Sequence, residues 1–179
     1  MMKLLTTLHR AENVNIHGKT FCREAVRGIA FRNSGAALTP KSELLMIYSS
    51  VKGDYKFPGG GREQDEHYHE TLRRELCEEA GAKLLNVNGA FGKVLEYGHA
   101  KEKNFETFKM FSYYYLCEVD ENLVAPTLEA YEARLGFQAV WVSIAEALET
   151  NKRLFTQKSP VPRWTKREIF VLEKLQEMQ

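Results

Sequence analysis

The amino-acid sequence predicts an α/β fold in which a mixed β-sheet is packed between layers of helices, an α/β/α sandwich. Strand-like segments precede a central amphipathic helix, further strand-like segments follow it, and two helical patterns close the chain. At 179 residues the chain is expected to form one domain, 1–179, because single domains commonly reach about 100–200 residues. Within it we expect residues 1–24 to form an N-terminal extension or extra strands, and residues 165–179 to form a C-terminal helix.

The strands are predicted from runs of β-branched, aromatic and other apolar residues that end at turn-forming residues. The run at 43–49 is almost continuously apolar, which indicates a strand buried on both faces. Turns are predicted at 33–35 and 52–54, where Asn, Gly or Asp interrupt the pattern. The predicted strands are 25–31, 43–49, 88–97, 108–119 and 137–142.

The central helix is predicted over 65–80, which contains neither Gly nor Pro and carries an apolar residue at every fourth position. Asp65 is the expected N-cap, because its side chain can accept a hydrogen bond from a free backbone N–H of the first turn. Gly81 is expected to end the helix, since glycine adopts the left-handed conformation that commonly follows one.

Two capping-box patterns predict the closing helices. Ser143 with Glu146 opens a helix that runs to about Thr150. Thr165 with Glu168 opens the C-terminal helix, whose apolar positions include Ile169, Leu172 and Leu175. A mild basic cluster near this start is interpreted as a solvated face; it comprises Lys158, Arg163, Lys166 and Arg167.

Charge and composition exclude several classes of protein. Hydrophobic residues make up 44% of the chain and charged residues 27%, which excludes disorder throughout. The net charge of +1 is not the basic footprint of a protein that binds nucleic acid polymers. The chain shows no apolar run long enough for a signal peptide or a membrane span, so we expect a cytoplasmic protein with no membrane partner.

Cysteine and histidine give no metal or disulfide pattern. Cys22, Cys77 and Cys117 are odd in number and lack C-x-x-C spacing, so we predict buried free thiols. His67 and His69 lie two apart on the predicted helix and face different directions, which favours solvated surface over a shared metal ion.

The informative segment is a glycine-rich loop that runs into a helix with three carboxylates in its last turns. Glu75, Glu78 and Glu79 are three or four positions apart, so their side chains can point to one side. Three like charges this close repel one another unless a cation neutralises them. Mg²⁺ is the natural candidate, because it takes oxygen ligands and bridges to substrate phosphates.

Arg74 and the glycines are expected to support this cluster. Arg74 has Glu70 and Glu78 as its i±4 neighbours, so we predict that it braces carboxylates. The glycines let the backbone turn sharply and approach an ion, and Gly59 is the position predicted to offer its carbonyl oxygen.

The spacing of this segment resembles the Nudix box of the Nudix hydrolases, the family that includes MutT. Ala82 stands at the last position, where the family prefers Ile, Leu or Val. Pro58-Gly59-Gly60 and Glu63 also resemble the extended form of the box, with Asp65 replacing a frequent glycine. The pattern is Gly60, five residues, Glu66, seven residues, Arg74-Glu75-Leu76, one residue, Glu78-Glu79, one residue and Gly81.

The resemblance implies an α/β/α Nudix fold and Mg²⁺-dependent hydrolysis of a pyrophosphate bond, with Mn²⁺ able to substitute. Glu75, Glu78, Glu79 and the Gly59 carbonyl would hold one to three ions, while Gly60, Glu66, Arg74 and Gly81 would be structural. Water would attack phosphorus after giving a proton to a carboxylate. The candidates for that base are Glu75, Glu78, Glu129 and Glu132, of which Glu132 is favoured because of its distance before the strand of Trp141.

Arg27 and Lys56 flank the expected site, and the resemblance implies that such basic residues can grip phosphate. A surface charge is an equally good interpretation of either residue. Tyr113, Tyr114 and Tyr115 could supply a ring that stacks on a base, but core packing is the better interpretation of each.

The expected substrate is a small nucleoside diphosphate derivative, such as a nucleoside triphosphate, ADP-ribose or a dinucleoside polyphosphate. We favour a nucleoside triphosphate, because the chain is compact. A homodimer is common in the family.

A nucleotide-binding domain without activity is the alternative function, although such domains usually lack box glutamates. Isomerase chemistry on an allylic diphosphate is disfavoured, because Cys77 lies on the box helix itself.

Overall fold

A computed structural model describes residues 2–32, 38–157 and 160–179, so the turn expected at 33–35 and Lys158 lie outside the described residues. The strands are β1 (Leu4–His9), β2 (Thr20–Arg32), β3 (Glu43–Ser49), β4 (Asp54–Lys56), β5 (Gly59–Gly61), β6 (Leu84–His99), β7 (Thr107–Val119) and β8 (Phe137–Ser143). The helices are α1 (Tyr68–Ala80), α2 (Ala130–Arg134), α3 (Ile144–Arg153) and α4 (Thr165–Gln176), and a short 3₁₀ turn covers Leu154–Thr156.

The strands form a mixed sheet in the order β1-β6-β7-β2-β3-β4, in which β5 also pairs with β2 and β8 also pairs with β3. The contacts β1–β6 and β2–β7 are parallel, whereas β6–β7, β2–β5 and β3–β8 are antiparallel. The long strand β2 pairs with β7 along 20–30 and meets β3 only at 31–32. It therefore joins the two halves of the sheet, and its middle carries β5.

Helices cover both faces of this sheet, which confirms the predicted α/β/α sandwich. On one face, Leu72 and Leu76 of α1 pack with Val26 of β2. On the other face, residues of α3 and α4 pack with Ile29 of β2. Val26 and Ile29 are three positions apart on a strand, so their side chains point to opposite faces. Full burial of each large apolar side chain stabilises the fold by about 1.5–3 kcal/mol.

The five predicted strands all form, and the apolar run in β3 is buried on both faces as predicted. Four short elements, β1, β4, β5 and α2, were not assigned individually from sequence. The sequence of β5 is Gly-Gly-Gly, which has no preference for a strand. It is extended because its backbone pairs with β2, a contact that local sequence does not reveal.

The N-terminus of α1 differs from the prediction. Asp65 is not the cap; the helix begins at Tyr68 and His67 occupies the N-cap position. The carboxylate of Glu70 accepts a hydrogen bond of 2.7 Å from the His67 N–H, which stabilises the first turn there. The predicted end is confirmed, since Gly81 is left-handed with φ of 60°.

Of the two N-caps predicted for the closing helices, one is confirmed and the other is wrong. Ser143 accepts a hydrogen bond from the Glu146 N–H at the start of α3, as predicted. Thr165 does not cap α4, where Trp164 holds the N-cap position. The Thr165 hydroxyl instead donates a hydrogen bond to Asp54. The partner expected for it, Glu168, is buried with its carboxylate turned towards Arg167.

The prediction of buried thiols is right for Cys117 and wrong for Cys22 and Cys77, which are exposed. Cys22 lies near the start of β2, and Cys77 lies on the solvent-facing side of α1. Within the described part of the chain, no helix is both long enough and apolar enough to cross a membrane.

Candidate catalytic site

The glycine loop is pressed between β2 and α1. Gly59 has φ of 137°, and a Cβ atom there would overlap the backbone carbonyl of Val26. A Cβ atom on Gly60 would overlap the carboxylate of Glu75. Only glycine therefore allows the backbone to lie against β2 on one side and a glutamate of α1 on the other.

Glu79 lies beneath this loop and is 1% exposed. Its carboxylate accepts hydrogen bonds of 2.9 Å from the Gly59 N–H and 2.5 Å from Lys56 Nζ. Burial raises the pKa of Glu79, Lys56 opposes that rise, and the neighbouring Glu132 adds to it.

Arg74 links the box carboxylates to one another and to the loop. Its Nη1 donates to Glu75 at 2.8 Å and to Glu78 at 3.2 Å, and its Nη2 donates to the Gly61 carbonyl at 3.0 Å. Its Nε donates to Glu66 at 2.6 Å, and this contact lowers the pKa of Glu66 to about 2. Of its two i±4 neighbours on α1, Arg74 thus contacts Glu78, whereas Glu70 turns to the helix start.

The ionised form of Glu75 remains unfavourable despite the contact of its carboxylate with Arg74. Burial, followed by the repulsion from Glu79, raises its pKa to about 7. The carboxylates of α1 therefore carry mutual repulsion that Arg74 and Lys56 only partly neutralise.

Arg74 and the three box glutamates line an open cleft of about 430 Å³, which the glycine loop and α2 also border. Glu132 of α2 is buried at 4% exposure and accepts hydrogen bonds of 2.9 Å from the Tyr131 hydroxyl and the Glu129 N–H. Glu129 lines the same cleft. The carboxylates that line it are Glu63, Glu75, Glu78, Glu79, Glu129 and Glu132.

Arg27 and Lys56 are buried, at 6% and 8% exposure, which excludes the interpretation of both as surface charges. Lys56 pairs with Glu79. Arg27 donates from Nη1 to the Gly59 carbonyl at 2.9 Å and more weakly to the Phe57 carbonyl at 3.5 Å. The carbonyl predicted to bind metal thus contacts a guanidinium group here, and it retains a second lone pair.

The oxygen atoms of the box carboxylates and of the glycine loop are of the chemical type that binds a divalent cation. Hard carboxylate and carbonyl oxygens are the ligands that Mg²⁺ prefers; the box carboxylates face the cleft, and Gly59 lines the adjoining pocket. Among the residues that the structure describes, no three His, Cys, Asp or Glu side chains already converge as a metal site. Arg74 and Lys56 contact the box carboxylates instead, and these carboxylates keep further lone pairs that an ion could use.

Comparison with known proteins decides the family. The family model of the NUDIX domain matches residues 23–164. The chain belongs to the Nudix hydrolase family. The matched region runs from β2 to the residue before α4, so it includes the whole cleft.

Individual Nudix relatives agree with this assignment. Nudix hydrolase 12, mitochondrial, of Arabidopsis thaliana is 31% identical over 130 residues, which cover 71% of this chain and 61% of the relative. The chain thus spans about six-tenths of the length of that curated relative. A NUDIX hydrolase structure from Nitrosomonas europaea has a TM-score of 0.51 at 17% identity, covering 84% of this chain and 90% of that one.

A structure from work on MutT of Aliivibrio salmonicida and Vibrio cholerae has a TM-score of 0.52 at 21% identity, covering 87% of this chain and 97% of that one. At these identities the two solved structures support the Nudix fold alone.

The sequence did not predict a network of hydrogen bonds that centres on Glu24 and holds Arg62, next to the glycine loop. Glu24 of β2 accepts hydrogen bonds from the hydroxyls of Tyr68 and Tyr113, at 3.0 and 2.9 Å, and from Arg62 Nε at 2.8 Å. Arg62 lines the cleft and also donates to the Glu66 carbonyl. No local motif marks these residues, because they come from four separate segments.

Core packing is confirmed for Tyr114 and Tyr115, which are buried, whereas Tyr113 is partly exposed. The exposed positions of His67 and His69 agree with the solvated surface predicted for them. Arg167 was wrongly assigned to a solvated face: it is 1% exposed and pairs with Glu96 and Glu168. An arginine can be buried in this way because two carboxylates surround it.

Proposed function

We propose that this protein hydrolyses the pyrophosphate bond of a nucleoside diphosphate linked to another group, with Mg²⁺ as the working ion and Mn²⁺ able to replace it. One observation carries the proposal: the three box glutamates of α1 and the outlying Glu132 of α2 face one open cleft beside the glycine loop. The carboxylates around this cleft would repel a phosphorylated substrate unless cations intervened.

Glu75, Glu78 and Glu79, with the Gly59 carbonyl, would hold the ion. The ion supplies the positive charge that lets a pyrophosphate approach these carboxylates and that stabilises the charge developing on phosphorus oxygens. A side chain at residue 60 would overlap the Glu75 carboxylate and one at residue 61 would crowd the Arg23 guanidinium, so Gly60 and Gly61 leave space beside these two groups.

Glu132 is the residue that we propose as general base. It lines the cleft together with the box glutamates, and the Tyr131 hydroxyl and Glu129 N–H hold its carboxylate in place. In the proposed step Glu132 takes a proton from water, the water oxygen bonds to phosphorus, and the bridging P–O bond breaks. The products are a nucleoside monophosphate and a second phosphorylated compound.

The test is a panel of nucleoside triphosphates, ADP-ribose and dinucleoside polyphosphates, assayed for phosphate-containing products with Mg²⁺ or Mn²⁺. We expect Glu79→Gln to lower kcat about 100- to 1000-fold, because a metal ion contributes several kcal/mol to such reactions. Glu121→Gln, an exposed carboxylate outside the cleft, is the matched control and should retain activity.

Two results would contradict the proposal. Full activity of Glu79→Gln would remove the metal assignment. Binding of a nucleotide by the wild-type protein without product from any compound would show the non-catalytic alternative instead.

A further inference from the structure

A second pocket adjoins the carboxylate cleft and has the opposite charge. It encloses about 260 Å³ and shares Gly60 and Gly61 with the cleft. No Asp or Glu lines it within the described part of the chain. Its charged lining consists of Arg10, Arg23, Arg27, Lys56, Arg163 and Arg167.

These cations come from segments that are far apart in sequence. Arg23 and Arg27 are an even number of residues apart on β2, so their side chains share one face of the strand. Arg10 follows β1 and Arg167 lies in α4, and both are outside the region 23–164 that matches the NUDIX domain. The pocket is therefore completed by chain segments that lie outside the matched region.

Among the described residues, three of the pocket's six cations form a salt bridge with a carboxylate. Lys56 pairs with Glu79, and both Arg10 and Arg167 pair with Glu96. Within the described ranges, no ion pair involves the remaining three cations, which are Arg23, Arg27 and Arg163.

Arg27 gives an independent indication of a ligand. It is 94% buried, and its Nε has no hydrogen-bond partner among the described residues. A buried N–H of a charged group without an acceptor is unfavourable, so an anion in the pocket would satisfy it. Arg23 and Arg163 are exposed, which leaves them able to close on such an anion.

We propose that this pocket binds a polyphosphate segment of the substrate, namely phosphoryl groups beyond the bond that is cut in the neighbouring cleft. A guanidinium group recognises phosphate by donating two parallel hydrogen bonds to its oxygens. Three arginines that form no salt bridge among the described residues therefore suit a ligand with several phosphates. The identification of the ligand as substrate rests on the proposed function. It favours nucleoside or dinucleoside polyphosphates over ADP-ribose.

The test measures binding without turnover. Inorganic tripolyphosphate and orthophosphate are titrated by calorimetry into the metal-free full-length protein. We expect tripolyphosphate to bind at least ten-fold more tightly than orthophosphate. The double variant Arg23→Gln/Arg163→Gln should weaken tripolyphosphate binding at least ten-fold. Arg153→Gln, an exposed arginine at the end of α3 that does not line this pocket, is the control and should bind like wild type.

The outcomes separate this proposal from the proposed function. Equal binding of the two anions, or wild-type binding by the double variant, overturns the pocket assignment even if ADP-ribose is hydrolysed. Tight tripolyphosphate binding that the double variant loses supports the pocket assignment, and it does so even if no compound is hydrolysed. Unfolding of the double variant is checked by circular dichroism; if it occurs, the single variant Arg163→Gln replaces it and must show weakened tripolyphosphate binding.

Discussion

Arg74 shows how one side chain can organise a charged cleft. Its planar guanidinium contacts three carboxylates and the Gly61 carbonyl at once. A lysine ammonium carries the same charge but cannot present donors in this fixed fork. The geometry of the box carboxylates therefore depends on the shape of Arg74 as well as on its charge.

We expect Arg74→Lys to lower kcat about ten-fold with little loss of fold, because charge is kept while Glu75 and Glu78 lose their shared donor. Steady-state kinetics with the best substrate of the panel measures this effect. Arg73→Lys is the matched control, since Arg73 is the exposed neighbour on α1. Identical kinetics of Arg74→Lys and wild type would contradict the bracing role.

At the scale of elements, the end of α1 positions the last box glutamates. Gly81 is left-handed, and a Cβ atom there would overlap the carbonyl of Val124 in the loop after β7. The chain accepts this close approach only because residue 81 is glycine.

Gly81→Ala is expected to destabilise the protein by more than about 2 kcal/mol, since it adds a steric overlap to the backbone strain. Gly53 is a suitable comparison because its φ is 70° and a Cβ atom would meet nothing within 4 Å. Gly53→Ala should cost only about 1 kcal/mol. Urea unfolding of the two variants measures the difference, and equal losses of stability would argue against the packing explanation.

Sequence predicted α1 well but its start poorly, for a physical reason. The apolar spacing and Gly81 define the helix body and its end, because these depend on residues close in sequence. The start depends on a competition for carboxylates: Glu66 is held by Arg74, while Glu70 closes the turn at His67. Both contacts are local in sequence, spanning eight and three positions, but the Asp65 prediction considered only the capping preference of that residue.

At the scale of the whole molecule, a buried ion network joins the termini to the site. Glu96 of β6 accepts hydrogen bonds from Arg10 near β1 and from Arg167 of α4. The neighbouring Glu168 accepts one from the Phe57 N–H, two residues before Gly59. The segments outside the matched Nudix region thus hold the glycine loop in position.

This network predicts a defined acid sensitivity. Burial alone would raise the pKa of Glu96, but Arg167 and Arg10 lower it from 4.5 to about 2. A carboxyl group whose pKa is lower in the folded state stabilises the fold above its unfolded pKa. That contribution, on the order of 3 kcal/mol, is lost as the pH falls from about 4.5 to about 2.

Glu96→Gln should therefore lower the Tm at pH 7 and flatten the loss of stability between about pH 4.5 and 2. Thermal unfolding followed by circular dichroism across this range is the measurement. Glu149→Gln, an exposed position on α3, should follow wild type. If Glu96→Gln followed wild type at every pH, the network would have no role in stability.

The candidate site was predictable to different degrees. The box residues were assigned from sequence because their spacing along one loop and one helix fixes their relative positions. Glu132 was suggested only by its distance before β8, and the pairing of Arg27 with the Gly59 carbonyl was not foreseen. That pairing depends on β5 joining β2, which is a property of the folded sheet.

The central claim is that the box carboxylates of the cleft bind a divalent ion. Mn²⁺ binding, followed by electron paramagnetic resonance of the free ion, tests it most directly. We expect wild-type protein to remove free Mn²⁺ from solution and Glu79→Gln to bind at least ten-fold more weakly, because a buried ligand is lost. Equal Mn²⁺ binding by the two proteins, or none by wild type, would contradict the claim.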